Sequence, residues 1–414
     1  MIRTNNYLLV LAVCLAACSP QTESATDPVS APGTLTFIHL NDTYRIDAVE
    51  DGHAGGFGRV VTIIRELQEE GNEVRILHGG DFLFPSLESQ LWFGAQMVDA
   101  LNFMDDIAPM YVVPGNHEFD PRGPEPVINA VRQSRFDWLG DNLQLVTGQD
   151  DVDQSLHTGF ITEFTNQRIG IFALTLHVDH GGNDRDYAPV EKDYLAVARK
   201  SIEQLEAEDV DAIIGLTHLH LETDKKIAKL KAGHPRFLFI AGGHEHEPEH
   251  VEATEDAAEI VKGASNARMI WRIDVSFPKD GLPEVATQSV KVDDTITADR
   301  DYGRLQSKWR QKLLETMPFL PARIGTAAVR LDAREVKIRN AESNWGNFIA
   351  DQMRTAFGEP AADFAFVNSG SLRIDDYIAD DITFEDIGRT FGFSSYLRHL
   401  VLTGTAFRAV MEAG

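Results

Sequence analysis

The sequence predicts an α/β sandwich followed by a smaller α/β domain. Three observations lead to this fold class. Apolar, strand-like runs alternate with helix-like segments from Thr34 to about Asp293. Five short blocks of metal-ligand residue types each follow one of the strand-like runs. A charged, amphipathic segment at 298–316 then separates this region from a second one that begins near Arg323. Strands that alternate with helices are buried on both faces, as in layered α/β proteins.

The first 18 residues have the composition of an export signal. Arg3 precedes an apolar run from Tyr7 to Ala17, which is too short for a membrane-spanning helix. The sequence Leu-Ala-Ala-Cys18 resembles the lipobox of bacterial lipoproteins. That resemblance implies cleavage before Cys18, a lipid anchor on its sulfur, and a location at the bacterial periplasmic or outer-membrane surface. An ordinary secreted protein is the alternative.

The elements of the first region can be placed in chain order from their apolar patterns. Strands are predicted where short apolar runs are bounded by turn residues, and helices where apolar positions repeat every three or four residues. The predicted strands are TLTFIHL, EVRILH, MYVVP, RIGIFALTL, DAIIGLTHL and RFLFIA. The predicted helices are FGRVVTIIRELQEEG, DYLAVARKSIEQLEAE and the connector ADRDYGRLQSKWRQKLLET.

These patterns divide the chain into five segments. They are a signal peptide at 1–18, a flexible tether at 19–33, a first domain at 34–293, a linker helix at 294–322 and a second domain at 323–414. The last residues, TGTAFRAVMEAG, stop within a predicted helix, so we expect the second domain to be incomplete.

The charge balance argues against a nucleic-acid polymer as partner. With 38 basic and 64 acidic residues the formal net charge is −26, and the chain has no long basic run that would neutralise phosphates. A small phosphorylated substrate remains compatible, because bound cations reverse the local field. Both cysteines, Cys14 and Cys18, lie in the export signal, so we expect no disulfide in the mature chain.

The five ligand blocks predict a two-metal hydrolytic centre. They are Asn41-Asp42-Thr43-Tyr44, Gly79-Gly80-Asp81, Gly115-Asn116-His117-Glu118-Phe119-Asp120, Thr217-His218 and Gly242-Gly243-His244-Glu245-His246. Asp and Asn oxygens and His nitrogens bind divalent cations, and ligands gather beyond the carboxyl ends of strands. A single histidine after a strand is usually a core residue. We interpret five of the histidines outside the blocks in that way: His39, His78, His177, His220 and His234.

The order ND…GGD…GNHEFD…TH…GGHEH is similar to that of the calcineurin-like metallophosphoesterases, and within them to the 5′-nucleotidases. The second region adds RNAESNWG at 339–346, NSGSLR at 368–373 and TFGF at 390–393. The resemblance implies a two-sheet α/β sandwich metallophosphoesterase domain and a smaller substrate-binding domain. It also implies an enzyme that releases phosphate from nucleoside 5′-monophosphates, with nucleotide sugars and cyclic nucleotides as further candidate substrates.

The resemblance assigns metal ligands and catalytic residues for two divalent cations (Zn, Mn, Co or Fe). The ligands are Asp81, which would bridge both cations, Asp42 and His246 at one cation, and Asn116, His218 and His244 at the other. A water between the cations, deprotonated near neutral pH, would attack phosphorus in line. His117 would stabilise charge on the phosphoryl group or protonate the leaving oxygen, and Asp120 would fix its tautomer and raise its pKa.

One departure concerns the first block, where Tyr44 stands in place of the family's usual histidine. A neutral phenol is a poor ligand for a divalent cation. We therefore expect a weaker or more exchangeable cation on the Asp42 side. The alternatives are a Tyr44 that hydrogen-bonds a metal-bound water, a site that holds one cation well, and compensation by His53.

In the second domain, Arg339 and Arg373 match the positions that bind phosphate in the family, and Phe391 matches a ring that stacks on the base. Surface ion pairs are the alternative for the arginines, and core packing is the alternative for Phe391. The acidic residues available for such pairs are Asp332, Glu335 and Asp375. Arg334 is a less certain partner of Arg339, and Phe393 stands where the family commonly has Asn.

Two other functions remain open at this point. One is hydrolysis of a sulfur ester on the same frame, as in thiosulfohydrolases. The other is a surface binding protein whose catalytic site has decayed, with Tyr44 as the first sign. A decayed site predicts well under two cations per chain.

Overall fold

The computed structural model describes residues 35–177 and 185–413. The predicted export signal, the Cys18 anchor and the tether lie outside these residues. No helix within the described ranges is long and apolar enough to cross a membrane.

The strands, given in chain order, form three sheets in the described part of the chain. They are β1 (Leu35–Leu40), β2 (Glu73–His78), β3 (Met110–Val112), β4 (Asp137–Leu139), β5 (Leu156–His157), β6 (Phe160–Phe164), β7 (Gln167–Thr175), β8 (Ala212–His218), β9 (Phe237–Gly242), β10 (Glu249–Val251), β11 (Glu259–Lys262), β12 (Met269–Ser276), β13 (Glu284–Lys291), β14 (Arg323–Ala333) and β15 (Asp376–Thr383).

The α-helices lie mostly between these strands, as the alternating pattern predicts. They are α1 (Phe57–Glu69), α2 (Leu87–Trp92), α3 (Ala95–Asp105), α4 (Glu125–Gln133), α5 (Asp150–Asp153), α6 (Tyr194–Ala207), α7 (Leu221–Ala228), α8 (Arg300–Thr316), α9 (Glu335–Asn340), α10 (Asn344–Thr355), α11 (Phe384–Thr390) and α12 (Gly404–Ala413). Several begin at a side-chain cap; α11, for example, starts with a capping box formed by Thr383 and Asp386.

Two mixed sheets form the first domain. One has the order β13-β12-β1-β2-β3-β4-β5, and the other has the order β10-β11-β9-β8-β7-β6. Strands β1 to β5 run parallel in the first sheet, and β7, β8, β9 and β11 run parallel in the second. Antiparallel strands complete the sheets at their edges.

The sheets pack face to face around an apolar layer. In β1, Leu35 and Phe37 point into this layer, where Phe37 meets Phe239 of β9 with ring centroids 6.0 Å apart. Ile38 and Leu40 point the other way, into a core covered by helices, because successive strand residues face opposite sides. Helix α6 covers the outer face of the second sheet. The predicted α/β sandwich is confirmed.

The second domain is built on the antiparallel pair β14–β15. Its apolar core includes Trp345 and Ile349 of α10 and Ile378 of β15. Helix α8 precedes it and packs on the first domain, where the Tyr302 hydroxyl donates to the Ile46 carbonyl. The second domain is thus a small α/β unit carried beside the sandwich.

Candidate active site

All five ligand blocks lie where strands end at their carboxyl side. Strands β1, β2 and β3 of the first sheet lead to Asp42, Asp81 and Asn116, respectively. Strand β8 of the second sheet ends in His218, and β9 leads to the turn that carries His244 and His246. Parallel strands bring their carboxyl ends to one edge, so the two sheets deliver the blocks to a shared site.

Close backbone packing holds these loops together. Gly80 has φ +84°, and a Cβ added there would lie 2.6 Å from the Gly115 nitrogen and 2.8 Å from Nδ1 of His218. Several predicted ligands also have positive φ, among them Asp42 (52°), Asp81 (60°) and His246 (63°). A left-handed backbone conformation costs free energy at a non-glycine residue, and residues that adopt it cluster at functional sites.

Asp81 and His218 form the centre of the cluster. Asp81 Oδ2 lies 3.2 Å from Nε2 of His218, and Asp42, Asp81 and His218 each offer a ligand atom within 4.8 Å of the others. Nδ1 of His218 donates to the Gly79 carbonyl at 2.6 Å, so Nε2 is the nitrogen left for a ligand. Burial lowers the pKa of His218, but the Asp81 carboxylate outweighs it and raises the pKa to about 9. A cation would take the place of that proton.

Two buried ligand atoms show that this site fits divalent cations. Oδ1 of Asn116 is buried without a hydrogen-bond partner, and the buried Nε2 of His218 makes no hydrogen bond, although it lies 3.2 Å from the Asp81 carboxylate. An unsatisfied buried polar atom costs about 1–3 kcal/mol, a penalty that coordination removes. Both atoms belong to residues assigned to the same cation, and imidazole, amide and carboxylate donors suit Zn, Mn, Fe or Co.

His244 and His246 occupy different surroundings on the turn after β9. Burial and the neighbouring His218 lower the pKa of His244 to about 2, so this imidazole is neutral, as a metal ligand must be. Its backbone N–H donates to Asp42 Oδ2 at 2.8 Å. Nε2 of His246 lies 3.3 Å from Asp42 Oδ1, which places His246 with Asp42.

Tyr44 is buried among the ligands on the Asp42 side. Its hydroxyl lies 3.2 Å from Asp42 Oδ1, 3.4 Å from Asp81 Oδ2 and 3.0 Å from His246 Nε2. Burial and the two carboxylates raise its pKa well above the usual value, so the group is a neutral hydroxyl. His53 does not compensate, because it is exposed and pairs with Asp294 at 2.6 Å.

His117 and Asp120 form the predicted pair. Nδ1 of His117 lies 2.8 Å from Asp120 Oδ2, and Nε2 lies 3.9 Å from Asp81 Oδ2. Burial alone would lower the pKa of His117, but the Asp81 and Asp120 carboxylates outweigh it and hold the pKa above its usual value. The backbone N–H of His117 also donates to Asp81 Oδ1 at 2.7 Å, which ties the catalytic loop to the cluster.

Glu118 is a site residue that the sequence reasoning did not identify. Its buried carboxylate accepts the backbone N–H groups of Asp81 (2.9 Å), Phe82 (2.7 Å) and Leu83 (2.9 Å), and that of Gly115. Burial and the nearby Asp81 raise its pKa to about 7. The block GNHEFD contains this residue, but only the fold shows that it fixes the two loops against each other.

The second domain brings Arg373 into the cluster. Its Nη2 lies 3.3 Å from Nε2 of His117, and its guanidinium lies 5.1 Å from the Tyr44 ring and 5.2 Å from the Phe393 ring. Nε and Nη1 of Arg373 are buried without a hydrogen-bond partner. The guanidinium therefore lies within cation–π distance of both rings, and its Nε and Nη1 could donate to an anion.

The other predicted substrate residues are placed differently. Arg339 pairs with Glu335 at 2.7 Å and lies 3.5 Å from Nδ1 of His246. Phe391 packs against the apolar core of the second domain, and the ring beside the catalytic loop is Phe393, 5.6 Å from the His117 ring. Arg334 is turned away and pairs with Asp332 at 2.8 Å.

Glu335 links the second domain to a predicted metal ligand. Its Oε1 lies 2.7 Å from Nδ1 of His246. Burial would raise the pKa of Glu335, but His246, Arg339 and Arg373 lower it well below its usual range. The sequence had suggested Glu335 only as an ion-pair partner of the arginines.

Buried polar groups next to the cluster hold the loops that carry the predicted ligands. Burial lowers the pKa of His39 to about 4 and that of His78 to about 3, and His78 bonds to the Thr43 hydroxyl at 2.8 Å. Lys262 is buried, lies 2.9 Å from Asp224, and donates to the Gly243 carbonyl. These residues hold the loops rather than face the ligands.

Comparisons with known proteins place both regions of the chain in known sequence families. Residues 35–248 match the family model described as calcineurin-like phosphoesterase, and residues 323–414 match the one described as 5′-nucleotidase, C-terminal domain. The trifunctional nucleotide phosphoesterase protein YfkN of Bacillus subtilis (strain 168) is 24% identical over 417 residues, covering 92% of this chain and 27% of YfkN. The 5′-nucleotidase of Diplobatis ommata is 24% identical over 361 residues, covering 78% of this chain and 59% of that protein.

A solved structure shows the same fold. The 5′-nucleotidase precursor from Thermus thermophilus aligns with a TM-score of 0.70 at 22% identity, over 86% of this chain and 73% of that chain. This chain spans less than two thirds of the length of the two curated relatives named above.

Proposed function

Because this chain belongs to the calcineurin-like phosphoesterase family and also matches the 5′-nucleotidase C-terminal domain, we propose that it releases phosphate from nucleoside 5′-monophosphates. The observation that carries this proposal is the position of Arg373. A second-domain arginine with unpartnered buried donors lies 3.3 Å from Nε2 of His117, beside the predicted metal ligands. Phosphate oxygens match such a guanidinium through paired, charge-assisted hydrogen bonds.

The ligand set supports a centre that holds two divalent cations. Asp42, Asp81 and His246 would hold one, and Asp81, Asn116, His218 and His244 would hold the other. When bound, such cations neutralise phosphoryl charge and activate water for in-line attack.

The remaining steps fall to the protein's own side chains. Arg373 would bind and orient the phosphoryl group, since its buried Nε and Nη1 make no hydrogen bond and the carboxylate nearest to Nη1, that of Glu335, lies 3.9 Å away. His117 would hold a proton on Nε2 and pass it to the leaving oxygen, while Asp120 retains the proton on Nδ1. Phe393, rather than Phe391, would contact the nucleoside, because it is the ring beside His117.

Export and lipid anchoring at Cys18 are proposed from the sequence alone. A nucleotidase at the cell surface would act on nucleotides outside the cytoplasm. Labelling with a radioactive or clickable fatty acid, and its loss in Cys18→Ser, tests the anchor.

The test of function is phosphate release from AMP by the purified protein after chelation, with Mn²⁺, Zn²⁺, Co²⁺ or Mg²⁺ added back. We expect metal-dependent release that is lost in His117→Ala and retained in His53→Ala, an exposed histidine paired with Asp294. Release from an aryl phosphate but not from AMP would overturn the nucleotide assignment and keep the phosphoesterase. Turnover of a sulfur ester alone would favour the thiosulfohydrolase alternative. No turnover, with well under two cations per chain, would indicate a decayed site.

A further inference from the structure

Glu335 lies where the second domain touches the metal-ligand cluster. It is the first residue of α9, its side chain is 7% exposed, and its Oε1 lies 2.7 Å from Nδ1 of His246. Ser265 of the first domain donates its hydroxyl to the other carboxylate oxygen. The Glu335 backbone N–H donates to Asp375 at 2.8 Å. The carboxylate is thus held by two residues of the first domain, while the backbone of Glu335 is held by Asp375 of its own domain.

This contact sets the tautomer of His246. A carboxylate accepts a proton only from a protonated Nδ1, which leaves Nε2 of the neutral imidazole with its lone pair. Nε2 points at Asp42, whose Oδ1 is 3.3 Å away. A histidine that ligates a metal commonly donates its other nitrogen to a carboxylate, which orients the ring and raises its basicity. The geometry of His246 and Glu335 matches that arrangement.

The same carboxylate also pairs with the arginines. Arg339 lies one helical turn along α9, and its Nε is 2.7 Å from Glu335 Oε1. Nη1 of Arg373 lies 3.9 Å from that oxygen. One residue of the second domain therefore connects a metal-binding histidine with both arginines that the sequence assigns to phosphate.

We propose that Glu335 is a positioning residue through which the second domain completes the metal site on the Asp42 side. The inference rests on the proposed metal centre and adds that one of its two cation positions depends on the docked second domain. Tyr44 increases this dependence, because a neutral phenol leaves His246 as the only imidazole assigned to that cation. The other position, at Asn116, His218 and His244, does not depend on Glu335.

The test measures cation binding without any nucleotide. Metal-free wild type, Glu335→Ala, Glu335→Gln and the control Glu342→Gln are titrated with Co²⁺, whose visible absorption reports its ligands. Bound metal is then counted by mass spectrometry after free ion is removed. Glu342 is an exposed carboxylate of the same domain, and it accepts from Asn347 at 2.8 Å.

We expect two Co²⁺ ions in wild type and in Glu342→Gln. In Glu335→Ala one ion binds as in wild type, and the other binds about 10–100-fold more weakly. Glu335→Gln keeps an acceptor for Nδ1 of His246 but removes the charge. Its affinity for the more weakly bound ion should therefore lie between those of wild type and Glu335→Ala.

Two results would overturn this role. One is equal affinity for both ions in wild type and in both Glu335 variants. The other is a parallel loss of both ions in Glu335→Gln, which preserves side-chain volume, because a positioning role is confined to one ion. A wild type that binds two ions but leaves AMP intact would overturn the proposed function and not this inference. A wild type that binds a single ion would overturn this inference, and its activity on AMP would decide the proposed function separately.

Discussion

The hydroxyl of Tyr44 contacts the predicted metal ligands and its ring contacts Arg373, and we expect these two contacts to have opposite effects on the site. Its hydroxyl stands 3.0–3.4 Å from ligand atoms of Asp42, Asp81 and His246, where an imidazole would give a stronger donor. Its ring lies against the guanidinium of Arg373, with 5.1 Å between them. We therefore expect Tyr44 to weaken one proposed metal position while its ring contacts the arginine proposed to bind phosphate.

Replacing Tyr44 by histidine should separate these roles. We expect Tyr44→His to bind the more weakly held cation at least about tenfold more tightly, since it adds a nitrogen donor. The KM for AMP should rise, because Arg373 loses a cation–π contact of about 0.5–2 kcal/mol. Chelator competition gives the affinity, and steady-state kinetics give KM.

Tyr44→Phe is the matched control for that experiment. It retains the ring and removes the hydroxyl, so KM should stay near the wild-type value and metal affinity should not improve. An unchanged cation affinity in Tyr44→His would show that position 44 does not limit the site.

If His117 donates a proton as proposed, Asp120 should set the pH range over which it can do so. The pKa of His117 is raised, because the Asp81 and Asp120 carboxylates outweigh the effect of burial. A general acid acts below its pKa, so kcat/KM should fall as pH rises through the pKa of His117. Asp120→Asn removes one raising charge, and the alkaline limb should therefore move to lower pH, with kcat reduced about tenfold or more. An alkaline limb that stays in place would identify a different titrating group.

The sequence predicted the residues of the cluster better than their partners. Asp81 follows β2 and His218 ends β8, and ligands gather at the carboxyl ends of strands, so the sequence indicated that both would belong to a site. That the two sheets bring these strand ends together is seen only in the fold. The contacts of Tyr44 with Arg373 and of Glu335 with His246 join positions far apart in the chain. They depend on how one domain rests on the other, which no local pattern encodes. Phe391 and Phe393 illustrate the same limit, because the motif does not show which of its two rings lies beside His117.

At the level of elements, the strong apolar patterns were the reliable ones. The pattern FGRVVTIIRELQEEG corresponds to α1 (Phe57–Glu69), and DAIIGLTHL corresponds to β8 (Ala212–His218). Strands β12 (Met269–Ser276) and β13 (Glu284–Lys291) were not predicted individually. In β13 the burial pattern alternates weakly and most residues are exposed, so the pairing with β12 decides its structure rather than its own sequence.

The loops between these elements tolerate little added volume. Gly80→Ala would place a methyl group 2.6 Å from the Gly115 nitrogen, in a backbone at φ +84°. We expect a loss of at least about 2 kcal/mol in the free energy of unfolding, from strain and from displacement of Gly115. Bound metal should fall in parallel, because His218 Nδ1 lies on the same side. Urea denaturation and metal analysis measure the two effects.

Gly303→Ala in α8 is the control, since no atom lies within 4 Å of a Cβ added there. It should leave metal content unchanged and stabilise the helix by about 0.5–1 kcal/mol. Equal stability of Gly80→Ala and wild type would mean that the loops have room to move apart.

At the scale of the whole molecule, buried ion pairs fix the second domain on the first. Arg45, next to Tyr44, donates to Asp376 and to the Ile374 carbonyl, and it pairs with Asp47 at 2.8 Å. A second ion pair has its arginine on the second domain: Arg389 lies 3.0 Å from Glu88 of the first domain. Arg45 directly follows the block that carries Asp42, so this contact between the domains lies next to a predicted metal ligand.

Breaking this anchor should release the second domain. Arg45→Met leaves Asp376 without its cation and removes the nearer of two arginines from Asp47, and removing one partner of a buried pair costs about 3–5 kcal/mol. We expect protease cleavage between residues 317 and 322 to become faster. KM for AMP should also rise, because Arg373 lies close in sequence to Asp376 and loses its fixed position beside His117.

The control is a second ion pair between the domains that lies in solvent. Arg330 is 2.9 Å from Asp51, with side chains 53% and 43% exposed, so the pair contributes about 0–1 kcal/mol. Arg330→Met should therefore leave both cleavage rate and KM near wild type, although it too removes a charge that spans the interface. If the two variants behave alike, general surface charge holds the domains together. If only Arg45→Met releases the second domain, the buried Arg45–Asp376 pair holds the domains together, and the position of Arg373 depends on that pair.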